Sequence, residues 1–114
     1  MNIILIYITH KNLKEAKKVA AVLLEKRLVA CVNYFLIESA SWWQGKIESG
    51  KEVVSILKTS KKNWKKVQTA VKKIHPYDLP CIMKIDVEAS REYADWINEE
   101  TKSTGNQHHI FLAD

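Results

Sequence analysis

Six side chains of this 114-residue chain belong to the types that bind transition metals most readily. They are the four histidines and the two cysteines, His10, Cys31, His75, Cys81, His108 and His109. Imidazole suits copper and zinc, and a thiolate suits a soft ion such as copper(I). No His-x-x-x-His, Cys-x-x-Cys or His-Glu-x-x-His spacing is present, so the sequence contains no ready-made metal site. The adjacent His108 and His109 would point to opposite sides of a strand and are not expected to be ligands.

His75 and Cys31 are the candidate metal ligands, and each has an alternative structural role. His75 stands before Pro76 at the predicted end of a helix. There its imidazole could instead bond the last carbonyls of the helix, where a partial negative charge favours it. Cys31 could instead be a small buried hydrophobe. Both alternatives stay open at the level of sequence.

A second group of polar residues could line a cleft between subunits. Glu52 and Lys58 are six positions apart on a predicted strand and therefore share one of its faces. Asn33 lies on the opposite strand, and Tyr77 is expected nearby. Alternatively, Glu52 and Lys58 are an interface ion-pair set that fixes the register of an oligomer.

The first part of the chain predicts a buried strand followed by a helix. Residues 2–9 are almost continuously apolar, as in a strand at the centre of a sheet. Asn12 and Glu15 form a helix-start signature, because the Asn side chain can accept from an early amide. The helix should end near Arg27.

A very long hairpin follows, with arms at 29–43 and 46–59 joined by Gln44-Gly45 and a bulge position at Gly50. An arm of about 13 residues spans roughly 43 Å at ~3.3 Å per residue. A compact domain of this size is only about 34 Å across, so the hairpin should extend beyond its own domain. Its outer half carries apolar residues that we expect to pack against neighbouring subunits. They are Trp42, Trp43 and Ile47.

The second half predicts a helix over 61–74 capped by Ser60, a strand over 81–87 and a short helix capped by Ser90. The resulting order is βαββαβ with a C-terminal helix. This is the ferredoxin-like α+β arrangement, a four-stranded antiparallel sheet with two helices on one face. We expect a single domain over residues 1–114.

The last twelve residues, 103–114, form a tail whose structure the sequence leaves ambiguous. The triplet Ile110-Phe111-Leu112 could be an added edge strand or a frayed end.

Composition excludes several classes of protein. The chain is 46% hydrophobic and 27% charged, which is typical of a globular domain and not of a disordered one. No stretch reaches the ~18 apolar residues that a membrane span requires, so no membrane association is expected. The apolar start lacks a basic leader and predicts a strand instead of a signal peptide. Two distant cysteines are read as reduced thiols of a cytoplasmic protein.

The net charge of +5 raises the question of nucleic acid. The predicted helix over 61–74 carries six lysines, and positions 60–75 hold no acidic residue. Such a face could contact phosphates without sequence specificity, so a lysine-faced nucleic-acid-binding protein is the alternative function. It lacks arginine, and a solvated face is the favoured interpretation. No glycine-rich phosphate loop, nucleophile elbow or acid/base pair is present, so an enzyme is not expected.

Taken together and in order, several fragments resemble the CutA family of proteins associated with divalent-cation tolerance. They are Ala30 to Asn33, Trp43 to Ile47, Glu52 with Lys58-Thr59, His75 to Tyr77, and Tyr93 with Trp96-Ile97. The resemblance covers residues 3 to about 101. Leu36 stands where the family often has proline, and Ser41 where it usually has an aromatic residue. Both departures concern details of the hairpin.

This resemblance implies a compact homotrimer of ferredoxin-like subunits and a cytosolic role tied to copper and other divalent metals. It implies metal contact at the position of His75, and a regulator with clefts between its subunits instead of a catalyst. No obligatory cofactor is expected; copper or another divalent metal, or a small ligand, is the expected partner besides the chain's own copies.

Overall fold

The structure, a computed structural model, describes residues 2–102. The predicted tail, 103–114, lies outside the described residues. Along the described part the elements are β1 (Ile3–His10), α1 (Leu13–Glu25), β2 (Cys31–Trp43), β3 (Lys46–Ser60), a 3-10 turn (Lys61–Asn63), α2 (Trp64–Ile74), β4 (Ile82–Val87) and α3 (Arg91–Glu100).

The four strands form one antiparallel sheet in the order β2-β3-β1-β4. The ferredoxin-like arrangement predicted from the sequence is therefore confirmed. The apolar first strand lies in the interior of the sheet, between β3 and β4. Ile4, Ile6 and Ile8 are fully buried beneath α1 and α2, where they pack against residues such as Leu23 and Val67.

The third helix covers part of the opposite face of the sheet. Ala94 and Ile97 of α3 are fully buried against Ile3, and Val87 packs against the same cluster. Successive residues of a strand point to opposite faces, so Ile3 and its neighbour Ile4 serve two separate cores. Much of this second face stays uncovered in one chain and exposes Phe35, Met83 and Ile85.

The predicted long hairpin is present; its first arm begins two residues later than predicted, so the arms have 13 and 15 residues. It makes the molecule 47 Å long but only 22 Å thick, with a radius of gyration of 15.2 Å against about 13 Å for a compact domain of this size. Gln44 and Gly45, with φ of 51° and 80°, form the tight turn. The predicted bulge at Gly50 is wrong, because Gly50 pairs with Ser39 within an uninterrupted register.

Asn12, Ser60 and Ser90 all occupy N-cap positions, as predicted, but only Asn12 caps with its side chain. The Asn12 side chain accepts a 2.8 Å hydrogen bond from the Glu15 amide and starts α1. Neither Ser60 nor Ser90 makes a capping hydrogen bond with its side chain. The Ser60 hydroxyl instead donates to Asn98 Oδ1 at 2.5 Å and lies 2.8 Å from Thr101 Oγ1, so it ties the end of β3 to α3.

Candidate functional site

A cleft of about 620 Å³ lies where the hairpin leaves the body of the sheet. Its walls come from the end of β1, the facing stretches of β2 and β3, and the loop between α2 and β4. The residues that line it are Thr9, Ser39, Ser41, Trp43, Glu48, Ser49, Gly50, Glu52, Pro76, Tyr77, Asp78, Leu79 and Cys81. Residues 2–102 contribute three carboxylates to this lining, Glu48, Glu52 and Asp78, and no lysine or arginine, so the cleft favours positive charge.

Glu52 is held at both carboxylate oxygens. The Tyr77 hydroxyl donates to Oε2 at 2.8 Å, and the Ser39 hydroxyl donates to Oε1 at 3.0 Å. Bonds from two separate elements immobilise this half-buried carboxylate, since each donor restricts its rotation. Glu52 and Tyr77, which the sequence predicts in a cleft between subunits, are in direct contact within one chain.

Two neighbouring groups are kept in their neutral forms. Burial, with smaller contributions from the hydrogen bond to Glu52 and from its charge, raises the pKa of Tyr77 from 10.0 to about 12. Burial and the charge of Glu52 also raise the pKa of the Cys81 thiol. Cys81 is therefore a protonated thiol at neutral pH, and a metal would have to displace its proton.

His75 has both ring nitrogens engaged with the backbone. Its Nε2 lies 2.8 Å from the Thr9 carbonyl oxygen, which can only accept, so Nε2 carries the proton. Its Nδ1 accepts from the Tyr77 amide at 3.2 Å. The alternative structural role expects His75 to bond a carbonyl at the end of α2. The carbonyl that it bonds instead belongs to Thr9 of β1. A metal could reach this ring only by replacing one of these contacts.

A second histidine lies against the first. The rings of His10 and His75 stack with their centroids 5.1 Å apart. The fully buried His10 bonds the Ser55 hydroxyl through Nε2 at 2.8 Å. Burial, helped by the nearness of His75, lowers the pKa of His10 to about 4, so this ring is neutral at physiological pH.

The other two predicted cleft residues lie further along the sheet within one chain. Lys58 is six residues from Glu52, roughly 20 Å at ~3.3 Å per residue, and donates to the Tyr93 hydroxyl at 3.2 Å. Asn33 is exposed and pairs with Ile56, two residues before Lys58. A single chain therefore does not bring Asn33 and Lys58 to the Glu52–Tyr77 cleft.

The two candidate metal ligands are also separate. Cys31 pairs with Lys58, which in turn pairs with Leu5 of β1, whereas His75 contacts Thr9. The four steps along β1 from Leu5 to Thr9 span roughly 13 Å. Within residues 2–102, no three His, Cys, Asp or Glu side chains are grouped so as to hold a metal ion. A single chain thus offers isolated ligands instead of a complete coordination sphere.

The three apolar residues at the tip of the hairpin are all exposed in one chain. Trp42 is 73% exposed and Ile47 is 63% exposed. They pair with each other, while Trp43 pairs with Lys46 and points to the opposite face. The tip therefore presents apolar side chains on both of its faces.

The chain is similar in sequence to proteins of one known family. The sequence model of the CutA1 divalent ion tolerance protein family matches residues 4–100. The chain belongs to the CutA1 family. It is 47% identical over 95 residues to the divalent-cation tolerance protein CutA of Archaeoglobus fulgidus, covering 82% of this chain and 93% of that protein. It is 43% identical over 100 residues to the CutA of Pyrococcus horikoshii, with coverage of 87% and 98%.

Solved CutA structures share the fold of this CutA1-family chain. The structure of the Archaeoglobus fulgidus protein, described as a periplasmic divalent cation tolerance protein, superposes with a TM-score of 0.85 at 44% identity. The match covers 88% of this chain and 99% of the other. CutA1 from Pyrococcus horikoshii gives a TM-score of 0.84 at 42% identity, with the same coverage. No helix in residues 2–102 is both long and apolar enough to cross a membrane.

Several residues of the cleft in this CutA1-family chain were not predicted from the sequence, among them Ser39, Cys81 and the two further carboxylates, Glu48 and Asp78. The turn at Gln44-Gly45 sets a register in which Ile37 pairs with Glu52. Ser39 is two residues after Ile37 on the same face, so it lies diagonally across from Glu52 and could have been predicted from this register. Cys81 is a possible metal ligand by residue type, but the sequence does not place it in the cleft. Its position four residues after Tyr77 gave no signal, because the path of the intervening loop does not follow from a periodic pattern.

Proposed function

We propose that this CutA1-family chain confers tolerance to divalent metal ions by binding a metal, with copper as the first candidate, or a small cationic ligand. The observation that carries the proposal is the Glu52 carboxylate, held by Tyr77 and Ser39 in a cleft to which residues 2–102 contribute two further carboxylates, Glu48 and Asp78, and no balancing lysine or arginine. The name of its relatives, divalent-cation tolerance protein, supports the same chemistry. Binding, and not catalysis, is the proposed activity.

Calorimetry with copper and zinc tests this proposal. Glu52→Gln keeps the shape of the side chain but removes its charge, and it should weaken metal binding at least tenfold. Glu88→Gln is the matched control, because Glu88 is an exposed carboxylate that does not line the cleft. Equal isotherms for the wild type and Glu52→Gln would refute the cleft as the site. Titrations of His75→Ala and Cys31→Ser test the two ligands that the sequence suggests, and unchanged isotherms would reject them.

The second part of the proposal is that the protein works as a homotrimer. Two apolar surfaces of the single chain support assembly, the uncovered side of the sheet and the hairpin tip with Trp42, Trp43 and Ile47. Light scattering should give a mass near three times 13.2 kDa. Ile85→Glu on the uncovered sheet face should dissociate the assembly, whereas Leu24→Glu, at an exposed position of α1, should not. A wild-type mass of 13.2 kDa would refute assembly.

Assembly would also explain the distribution of the predicted cleft residues. In one chain Lys58 lies roughly 20 Å and Asn33 roughly 13 Å along the sheet from Glu52, at ~3.3 Å per residue. A neighbouring subunit could place its own Asn33 and Lys58 against the Glu52–Tyr77 cleft, so that a complete junction needs two chains. In that arrangement a ligand in the cleft would alter the subunit contacts and hence what the trimer presents to signalling partners.

We propose a reducing, cytoplasmic location, supported by two cysteines that form no disulfide with each other. The relative described as periplasmic argues for the opposite, so fractionation of cells is the direct test. Recovery of the protein in a periplasmic extract would refute the proposed location.

Non-specific nucleic-acid binding is the second candidate function, and the exposed lysines of α2 favour it. Filter binding at a series of salt concentrations tests it, because phosphate contacts give a steep loss of affinity as salt rises. Absence of binding near 50 mM salt would remove this candidate.

A further inference from the structure

Positive charge is concentrated on the helix-covered side of the molecule. Segments 11–28 and 61–74 contain 12 of the 18 lysines and arginines but only two of the 13 acidic residues, Glu15 and Glu25. The rest of the chain has the reverse balance, with six basic and eleven acidic residues. The helix layer is therefore strongly basic on a chain whose net charge is only +5.

A groove of about 470 Å³ runs between α1 and α2 within this basic layer. Its floor is apolar and its rims carry lysines. The residues that line it are Val22, Lys26, Leu28, Lys65, Lys66, Thr69, Ala70, Lys73 and Ile74. Along α2, the nine steps from Lys65 to Ile74 extend about 14 Å at ~1.5 Å per residue, which is about two and a half helical turns.

The lysines of the groove keep their charge free of intramolecular partners. Lys26, Lys65, Lys66 and Lys73 are all exposed, and within residues 2–102 none lies within 4.0 Å of a carboxylate. By contrast, two cations at the margins of the helix layer form salt bridges. Arg27 pairs with Glu100 at 2.7 Å, and Lys61 pairs with Asp86 at 3.8 Å. The fold thus leaves unpaired the cations that border the apolar floor.

We propose that this groove binds an acidic, amphipathic helix of a partner protein. Apolar side chains at helical spacing would cover Val22, Leu28 and Ile74, and carboxylates beside them would meet the lysines of the rims. Helix-in-groove recognition uses this combination of an apolar stripe and flanking charge. Complementary charge would speed association and fix the register, while the apolar contacts would supply affinity.

The chemistry of the groove fits this partner better than other polyanions. A nucleic-acid backbone presents phosphates but nothing apolar to cover the floor. Within the described part of the chain no arginine lines the groove, although arginine is the residue best suited to bidentate phosphate contacts. An anionic membrane would meet the projecting lysines but would leave the concave floor between the helices unfilled.

The test uses a labelled 18-residue peptide with leucines at helix positions i, i+3, i+4 and i+7 and glutamates on both flanks. Fluorescence anisotropy with the full-length protein at 150 mM salt should show saturable binding. A peptide of the same composition, with its leucines spread around the helix, should bind at least tenfold more weakly. Equal binding of the two peptides would overturn the proposal, as would preferential binding of an 18-nucleotide DNA or of vesicles containing phosphatidylserine.

Variants locate the binding surface. Lys66→Glu with Lys73→Glu should weaken peptide binding on the order of tenfold or more, because like charges then face each other. Lys14→Glu with Lys17→Glu makes the same change in net charge on α1 outside the groove, and its effect should be below about twofold, since the Debye length is about 8 Å at this salt. Equal losses in the two variants would show general electrostatic attraction and refute the groove.

A second pair of variants tests the apolar floor without changing charge. Ile74 and Leu13 are exposed to similar extents, 39% and 37%, but only Ile74 lines the groove. Ile74→Ala should weaken binding of the peptide severalfold, and Leu13→Ala should leave it unchanged. The proposed mode of binding would be contradicted if Ile74→Ala did not weaken binding, or if Leu13→Ala weakened it equally. Circular dichroism of every variant verifies that the fold is retained.

Discussion

The contact between Tyr77 and Glu52 can be measured through the ionisation of the phenol. Three causes raise the pKa of Tyr77 to about 12, of which burial is the largest and Glu52 contributes the other two. Glu52→Gln removes the charge and weakens the hydrogen bond but leaves the burial. We therefore expect the pKa of Tyr77 in this variant to fall below 12 and to stay above 10.0, the value of an unperturbed tyrosine.

The difference between 10.0 and about 12 corresponds to roughly 2.7 kcal/mol of preference for the neutral phenol, at about 1.36 kcal/mol per pKa unit. Because the ring is only partly buried, solvent screening reduces the part that appears as folding stability to about 1 kcal/mol. The folded protein holds the proton more tightly than the unfolded chain. This contribution is therefore fully present below pH 10.0 and is lost as the pH rises through about 12.

Absorbance at 295 nm, followed from pH 8 upward with circular dichroism in parallel, gives the titration. Four tyrosines contribute, and subtraction of the Tyr77→Phe curve isolates the one of interest. Glu48→Gln is the control, because Glu48 lines the same cleft without bonding Tyr77. An unchanged titration in Glu52→Gln, or an equal shift in Glu48→Gln, would refute the electrostatic account of the cleft.

Three further predictions concern stability, measured by urea unfolding at one fixed protein concentration. Gly45→Ala should destabilise the protein by about 1–2 kcal/mol because Gly45 has φ of 80°. In the control Gly50→Ala, the added methyl group meets no atom within 4 Å, so stability should change by less than about 1 kcal/mol. Similar costs for the two variants would contradict the turn assignment. Thr59→Val should cost about 1–3 kcal/mol by removing the buried 2.6 Å bond to the Leu28 carbonyl, and Thr59→Ser should restore most of it. Asn12→Ala should cost about 1 kcal/mol by removing the cap of α1, and no loss would show that water replaces it.

Local patterns predicted much of the fold because each reports directly on burial or on a backbone requirement. The apolar run at 2–9 indicated a strand covered on both faces, and the structure places helices on both sides of β1. Gln44-Gly45 indicated the tight turn of the hairpin because glycine tolerates positive φ, and in the structure both residues adopt positive φ. The uninterrupted register that follows from this turn determines which residues of β2 and β3 share a face.

The errors arose where tertiary contacts compete with local preferences. Ser60 has the residue type of an N-cap, but its hydroxyl bonds Asn98 and Thr101, because the end of β3 lies under α3. Gly50 was interpreted as a bulge from its type alone, although an exposed strand position accommodates glycine without any distortion. The two partners of Ser60, Asn98 and Thr101, are far along the chain and cannot be inferred from the sequence around Ser60.

The candidate site was predicted in part for a similar reason. The period of a strand correctly assigned Glu52 and Lys58 to one face, but it contains no information on which loop reaches which end of that face. The loop after α2 reaches Glu52, and α3 reaches Lys58, so that Tyr77 bonds the first and Tyr93 the second. The distance along the strand does follow from the sequence, because the six steps from Glu52 to Lys58 correspond to roughly 20 Å.

The position of His75 changes what a loss of metal binding in His75→Ala would mean. A chain of hydrogen bonds runs from the Thr9 carbonyl through His75 to the Tyr77 amide, and the Tyr77 side chain then holds Glu52. Removing the imidazole would release the loop and with it one donor to the carboxylate, so metal binding would weaken even if His75 never touched the ion. Comparison with Tyr77→Phe separates the two roles, because that variant frees Glu52 but leaves the histidine in place. Equal losses identify His75 as a positioning residue, and a much larger loss in His75→Ala identifies it as a ligand.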